Sequence, residues 1–181
     1  LTVGFSRPHS PWYAPQEFFD LFPLDALELT PLLDGDLEDV SKILSQEQDI
    51  AQPWGWHKYK KVIDNGGEEQ LRKWTQAYLA CVAFVDHQVG EVLNALHASE
   101  YSENTLVIFT SDHGYHMGEK EYIFKYTPWE ESVRVPLIIA GPSVSAGSLE
   151  PHPVSLVDIY PTCLDFAQLD ADGSLDGHSL R

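Results

Sequence analysis

Between residues 68 and 99, apolar side chains recur at Leu71, Trp74, Tyr78, Val82, Val85, Val89, Val92 and Leu96, in steps of three or four. Only a helix gathers such a pattern onto one face. The spacing therefore predicts a long amphipathic helix with that stripe against a sheet or a second helix. Gly66-Gly67 marks the end of a preceding turn, and Glu68-Glu69 suit the positive end of the helix dipole. Two continuous β-prone runs follow, Thr105-Leu106-Val107-Ile108-Phe109-Thr110 and Val135-Pro136-Leu137-Ile138-Ile139-Ala140, the second closed by Gly141-Pro142. Unbroken apolar runs are typical of strands buried on both faces. The expected class is therefore α/β, a mostly parallel sheet flanked by helices. Residues 156–168 read as helix, 16–22 as a short helix, and 1–5 as a strand end. Three prolines make residues 6–15 a loop. The acidic stretch 23–56 reads as a long surface excursion with one short helix near 37–46.

The chain has 181 residues, enough for one domain with a core. It carries 11 Lys and Arg against 28 Asp and Glu, a formal net charge of −17. That balance disfavours nonspecific nucleic-acid binding and docking on anionic membranes, so neither is expected as a partner. A local basic pocket can still admit an anionic substrate. Cys81 and Cys163 are too few for a disulfide framework or a cysteine zinc site, and read as buried packing residues. The apolar stretches are too short to span a bilayer. No targeting segment is visible, which leaves the compartment open. Leu1 and the strand already under way at residues 1–5 suggest a chain that starts inside a larger protein.

The first β-run leads directly into Ser111-Asp112-His113-Gly114-Tyr115-His116-Met117-Gly118. Ligands of open α/β sheets bind beyond the carboxyl ends of strands. Asp112 and His113 occupy that place with two common metal-ligating groups. Gly114 and Gly118 are expected to let the backbone turn closely round the bound group. Arg7 and His9 lie just past the first strand, and His116 and Lys125 follow the Asp-His pair. One metal pair plus several cations suits a tetrahedral oxyanion: the metal polarises an oxygen and the cations stabilise charge as the ester bond breaks. His or Lys can supply the proton to the leaving alcohol. Donor chemistry alone favours manganese or zinc at an Asp-His pair. His57, His87, His97, His152 and His178 are assigned no role.

Several of these pieces together resemble the C-terminal half of the sulfatase catalytic domain. They are Thr110-Ser111-Asp112-His113-Gly114, Gly118-Glu119, Lys125, Trp129-Glu130, Val133-Arg134-Val135-Pro136-Leu137-Ile138 and Val154-Ser155-Leu156-Val157-Asp158-Ile159-Tyr160-Pro161-Thr162. The opening Gly4-Phe5-Ser6-Arg7-Pro8-His9-Ser10-Pro11 is similar to the family's strand end with a site histidine. The nearest subgroup is iduronate-2-sulfatase-like, where the metal pair is also Asp-His. Residues 23–64 match least.

The resemblance implies an alkaline-phosphatase-like α/β sandwich, of which residues 1–181 are a partial domain. It implies calcium at Asp112 and His113, His9 on the sulfate or leaving oxygen, and Lys125 bridging the two. Arg7 and Tyr115 fall where substrate contacts occur. The implied substrate is a sulfated sugar or glycan, and the implied setting periplasmic, secreted or lysosomal. The family's nucleophile is a formylglycine made within a Cys/Ser-x-Pro/Ala-x-Arg motif. Neither Cys81 nor Cys163 has those neighbours. The nucleophile and an early acidic metal pair are thus expected in an N-terminal part preceding Leu1. This chain alone is expected to show no turnover. A phosphodiesterase or phosphonate monoesterase of the same superfamily, and a non-catalytic module that binds a sulfated ligand, are the alternatives.

Overall fold

A computed structural model describes residues 1–40 and 54–181. Two compact units are present. One comprises Leu1–Ser99 and His113–Arg134, the other Glu100–Asp112 and Val135–Arg181. The short helix expected near 37–46 lies mostly outside the described residues.

The first unit is organised on its helices. Helix α1 (Gln16–Phe19) follows the proline segment, and helix α2 (Trp54–His97) follows later in the chain. Gly66-Gly67 does not end a turn before the helix. It sits inside α2 as a break, with Gly67 at φ 57 and ψ −145, a conformation open to glycine alone. The helix therefore has a short N-terminal arm that the periodicity from residue 68 onward did not reveal. Gly55 lies so close to the Tyr122 ring and the Ile123 carbonyl that a side chain there would clash.

Leu71 is wholly buried and packs with Val62 and Ile123, with Trp74 and Tyr115 against them. Full burial of a side chain such as Leu71 or Ile123 stabilises the unit by about 1.5–3 kcal/mol. The predicted stripe is covered only in part, since Val82 and Val92 are more than a third exposed. Burial shifts instead to Ala80 and Cys81, on the side where Phe18 of α1 meets Phe84 at 5.2 Å.

Two miniature strands, β2 (His116–Met117) and β3 (Ile123–Phe124), pair antiparallel around a tight turn at Glu119–Glu121. The turn is tied to the preceding acidic stretch, where Lys120 Nζ reaches Asp36 Oδ1 at 2.6 Å. Helix α3 (Glu130–Val133) closes the segment.

In the second unit, β1 (Val107–Thr110) and β4 (Leu137–Ala140) form a two-stranded sheet. The strands are antiparallel, with Val107 opposite Ala140 and Thr110 opposite Leu137. The expected mostly parallel sheet is thus corrected. An unbroken apolar run identifies a strand but says nothing about its partner's direction. The direction follows from the connection, and a parallel return needs a long crossover, usually a helix. Residues 111–136 hold only a small hairpin, a tight turn and the four-residue α3, so the chain doubles back. Both strands are part-exposed, as an antiparallel pair allows.

Helix α4 (Ile159–Phe166) follows a 3-10 turn, Leu156–Asp158, whose start is closed by a capping box between Ser155 and Asp158. Asp158 also accepts from the His178 backbone at 2.9 Å, and these bonds hold its carboxyl below the usual range. Cys163 is exposed, contrary to expectation, while Cys81 is buried. The neighbours Pro161 and Thr162 take the covered face of α4 and turn Cys163 outward. Residues 1–5 pair with no strand among the described residues. No described helix is long and apolar enough to cross a membrane.

Candidate active site

His113 opens the second segment of the first unit, directly after Asp112 at the end of the β1 run. Its Nδ1 lies 2.8 Å from the Gly114 carbonyl oxygen. Only a protonated Nδ1 makes that contact favourable, so in the neutral ring Nε2 carries the lone pair. That lone pair meets Lys125 Nζ at 2.7 Å. A backbone carbonyl holding one ring nitrogen is the usual way an imidazole is aimed at a metal or a proton.

Gly114 makes this arrangement possible for a reason the sequence did not suggest. Its N–H donates to the Ser132 carbonyl at 2.8 Å, and a Cβ built on it would collide with the Glu131 carbonyl. The missing side chain makes room for the α3 backbone, not for a ligand. Gly114→Ala is expected to cost about 1–3 kcal/mol by overpacking. A fall in the midpoint of chemical denaturation checks it, and an unchanged midpoint would contradict the close approach.

Lys125 is buried, only 8% exposed. Its ammonium lies 5.6 Å from the Phe124 ring centre and 5.7 Å from that of Tyr126. Both flanking residues have positive φ, 137° at Phe124 and 74° at Tyr126. Each such side-chain-bearing residue costs on the order of 1–3 kcal/mol, and strain of this kind concentrates at functional sites. The Tyr122 hydroxyl donates to the Lys125 carbonyl at 3.1 Å and anchors the strained backbone.

Arg7 and His9 sit on a loop that is folded by its own hydrogen bonds and not by a strand. Trp12 Nε1 donates to the Pro8 carbonyl at 2.8 Å, and Arg7 Nε donates to the Tyr13 carbonyl at 3.2 Å, folding the loop on itself. The Trp12 ring then meets Trp74 at 5.5 Å, Tyr78 at 6.1 Å and Tyr115 at 5.9 Å. Tyr115 stacks on Tyr78 at 5.4 Å and meets Phe124 at 6.0 Å. One aromatic cluster thereby ties the loop with Arg7 and His9 to the segment with His113 and Lys125. Tyr115 is a member of that cluster, and burial pushes its hydroxyl pKa far up. His9 is exposed, with Nδ1 2.6 Å from the Ser10 carbonyl.

His116 is wholly buried. Its Nε2 lies 2.8 Å from Thr127 Oγ1, which is 2.9 Å from Ser132 Oγ, and its Nδ1 faces the Glu119 carbonyl at 3.3 Å. The ring is a brace between the hairpin and α3. Burial lowers its pKa, outweighing the opposing pull of Glu131 and Glu119. A base with a lowered folded-state pKa binds its proton more readily when unfolded. Stability should therefore fall as the pH drops through about 6.5. His116→Gln should reduce the loss of melting temperature between about pH 7.5 and about pH 5, and an identical loss in both proteins would contradict this.

Among the described residues no group of three or more His, Cys, Asp and Glu side chains gathers to hold a metal. Of the pair expected from the sequence, His113 offers one aimed imidazole, and Asp112 belongs to the other unit. Such a pair is part of the six to eight oxygen-rich ligands of calcium or the four of zinc. Lys58 was missed by sequence reasoning. Its ammonium lies 4.9 Å from the centre of the same Phe124 ring that Lys125 touches. The signal was available in the helical spacing of Lys58, Lys61, Val62 and Asn65, masked by reading Gly66-Gly67 as a boundary.

A family model described as Sulfatase matches residues 1–169. A protein named Sulfatase from Formosa agariphila is 39% identical over 180 residues, which covers 99% of this chain and 34% of that protein. Among solved structures, a phosphonate monoester hydrolase from Silicibacter pomeroyi superposes with a TM-score of 0.78 at 25% identity. That match covers 97% of this chain and 35% of the other. A structure described as in complex with its substrate D-glucosamine-2-N,6-O-disulfate superposes with a TM-score of 0.56 at 34% identity, over 68% of this chain and 26% of the other. The chain thus spans about a third or less of the length of each.

Proposed function

The chain belongs to the sulfatase family, and on that premise we propose that its protein hydrolyses esters of tetrahedral oxyanions. The carrying observation is the 2.7 Å approach of the buried Lys125 ammonium to the aimed Nε2 of His113. A desolvated ammonium beside an oriented imidazole is suited to charge that develops on ester and leaving oxygens. Asp112 and His113, adjacent in the chain, would hold a divalent cation, calcium by family resemblance. When bound, such a cation supplies Lewis-acid polarisation of an ester oxygen. Lys125 neutralises the anion. His9, exposed on its loop with Nδ1 engaged, keeps Nε2 to contact the substrate or, in the doubly protonated ring, to pass a proton to the leaving alcohol. Arg7 adds positive charge from the same loop, and Tyr115 and His116 hold the site's backbone in place. The nucleophile, a formylglycine in this reading, belongs to the part of the relatives that this chain does not cover.

Sulfate esters stood first in the sequence reading, and the 39%-identical relative bears the name Sulfatase. The near-complete superposition on a phosphonate monoester hydrolase supports the alternative, phosphonate monoesters, better than sulfate. The match to a structure holding a disulfated glucosamine supports a sulfated sugar, and the Asp-His pair an iduronate-2-sulfatase-like subgroup. Assaying the full-length protein on nitrophenyl sulfate and on a nitrophenyl phosphonate monoester separates the two chemistries. The reading requires turnover of at least one ester, stimulated by a divalent cation. Binding of a sulfated sugar with no turnover of either would instead make it a non-catalytic module.

A further inference from the structure

The break in α2 does more than bend a helix. Its two arms enclose a cleft of about 460 Å³ on the first unit. The N-terminal arm presents Lys58, Lys61 and Asn65 at helical spacing, and the C-terminal arm presents Gln70 and Trp74 one turn apart. The buried Val62 side chain adds an apolar lining. Gly67, in a conformation reserved for glycine, sets the angle between the arms. The cleft includes neither Asp112 nor His113, and it shares Trp74 with the aromatic cluster.

Its chemistry is distinctive for this chain. Only 11 Lys and Arg stand against 28 Asp and Glu, yet Lys58, Lys60 and Lys61 fall within four residues. Lys60 lies over the Trp56 ring at 5.8 Å, while Lys58 and Lys61 line the cleft. Burial pulls the Lys58 ammonium below its ordinary pKa, a sign of partial removal from water. Two ammonium groups recognise an anion. Two side-chain amides recognise hydroxyl groups, and an indole gives an apolar platform with a polar edge. Together they fit an anionic sugar rather than a purely apolar or cationic ligand.

The position matters as much as the chemistry. Lys58 Nζ is 4.9 Å, and Lys125 Nζ 5.6 Å, from the centre of one phenyl ring, Phe124. The two ammonium groups can be no further apart than those distances combined, which one sugar unit can span. We propose that the cleft at the α2 break binds a second anionic substituent of a sugar substrate whose reacting ester is held at His113 and Lys125. The protein therefore selects doubly charged sugars over singly charged ones. This rests on the ester-hydrolase reading.

The test uses the full-length protein, with glucosamine carrying one sulfate and glucosamine carrying two. Steady-state kinetics and calorimetric affinity are both measured. The wild-type protein should favour the disulfated sugar in kcat/KM and in affinity. Lys58→Ala/Lys61→Ala should shrink that preference about five- to tenfold, as loss of charge-assisted contacts at a partly exposed site predicts. Since Lys58 packs on Phe124, Lys61→Glu is read beside it, with the melting temperature as a check on folding. His97→Ala should leave the preference unaltered. No wild-type preference, or one that survives both Lys variants in folded protein, overturns the cleft. Failure to turn over any sulfate or phosphonate ester overturns the hydrolase reading instead, and the calorimetric comparison still decides the cleft.

Discussion

Asp112→Ala in the full-length protein is expected to abolish ester hydrolysis, whereas His97→Ala leaves it within about twofold, as an exposed position away from the site should. Asp112 is the carboxylate of the proposed cation pair, and removing it leaves the imidazole of His113 as what remains of that pair. Losing one of few first ligands weakens divalent-cation affinity far more than the 10–100-fold typical of an outer partner. The expected readout is a cation titration in which Asp112→Ala saturates only at much higher concentration, or not at all. Equal loss of cation affinity in Asp112→Ala and His97→Ala would sink the assignment. His97 is a fair control because it is the last residue of α2 and exposed.

Lys125→Ala should lower kcat by about 10²–10³-fold, the usual loss when one group stabilising developing charge is removed. Cation affinity should survive. Lys125 donates to the same His113 nitrogen that the cation would use, so its removal does not weaken that lone pair. Lys125→Arg is informative beside it. A planar guanidinium is longer and spreads its charge over a fork, so it does not reproduce the single 2.7 Å approach of the ammonium to His113 Nε2. Arg should rescue little. Full activity in Lys125→Ala, in protein that melts normally, would remove Lys125 from the chemistry.

What the sequence conveyed depended on whether a property was local. His113 and Lys125 could be singled out because a strand end and a short spacer bring them near each other, and the structure gives them a direct contact. The long helix was legible from residue 68 onward, since periodicity is local. Its first arm was hidden because Gly66-Gly67 reads the same whether it ends a turn or breaks a helix. The strands were identifiable, but their relative direction was carried by the connection and not by their own residues. Gly114 illustrates the same limit. A glycine announces that something comes close, and only the fold tells that it is the Glu131 carbonyl. Trp12 falls in the proline-rich stretch 6–15, of which the sequence told only that it is a loop. Its role in fastening that loop to Trp74 and Tyr115 depends on rings distant in sequence.

The twisted backbone on either side of Lys125 has an evolutionary consequence. Phe124 and Tyr126 occupy geometries that glycine would adopt at no steric cost. Variants selected only for thermal hardiness should therefore accumulate relaxing replacements at these two positions. Each would also loosen the grip on the ammonium between them. On the proposed function, durability and turnover would pull against one another in this short hairpin.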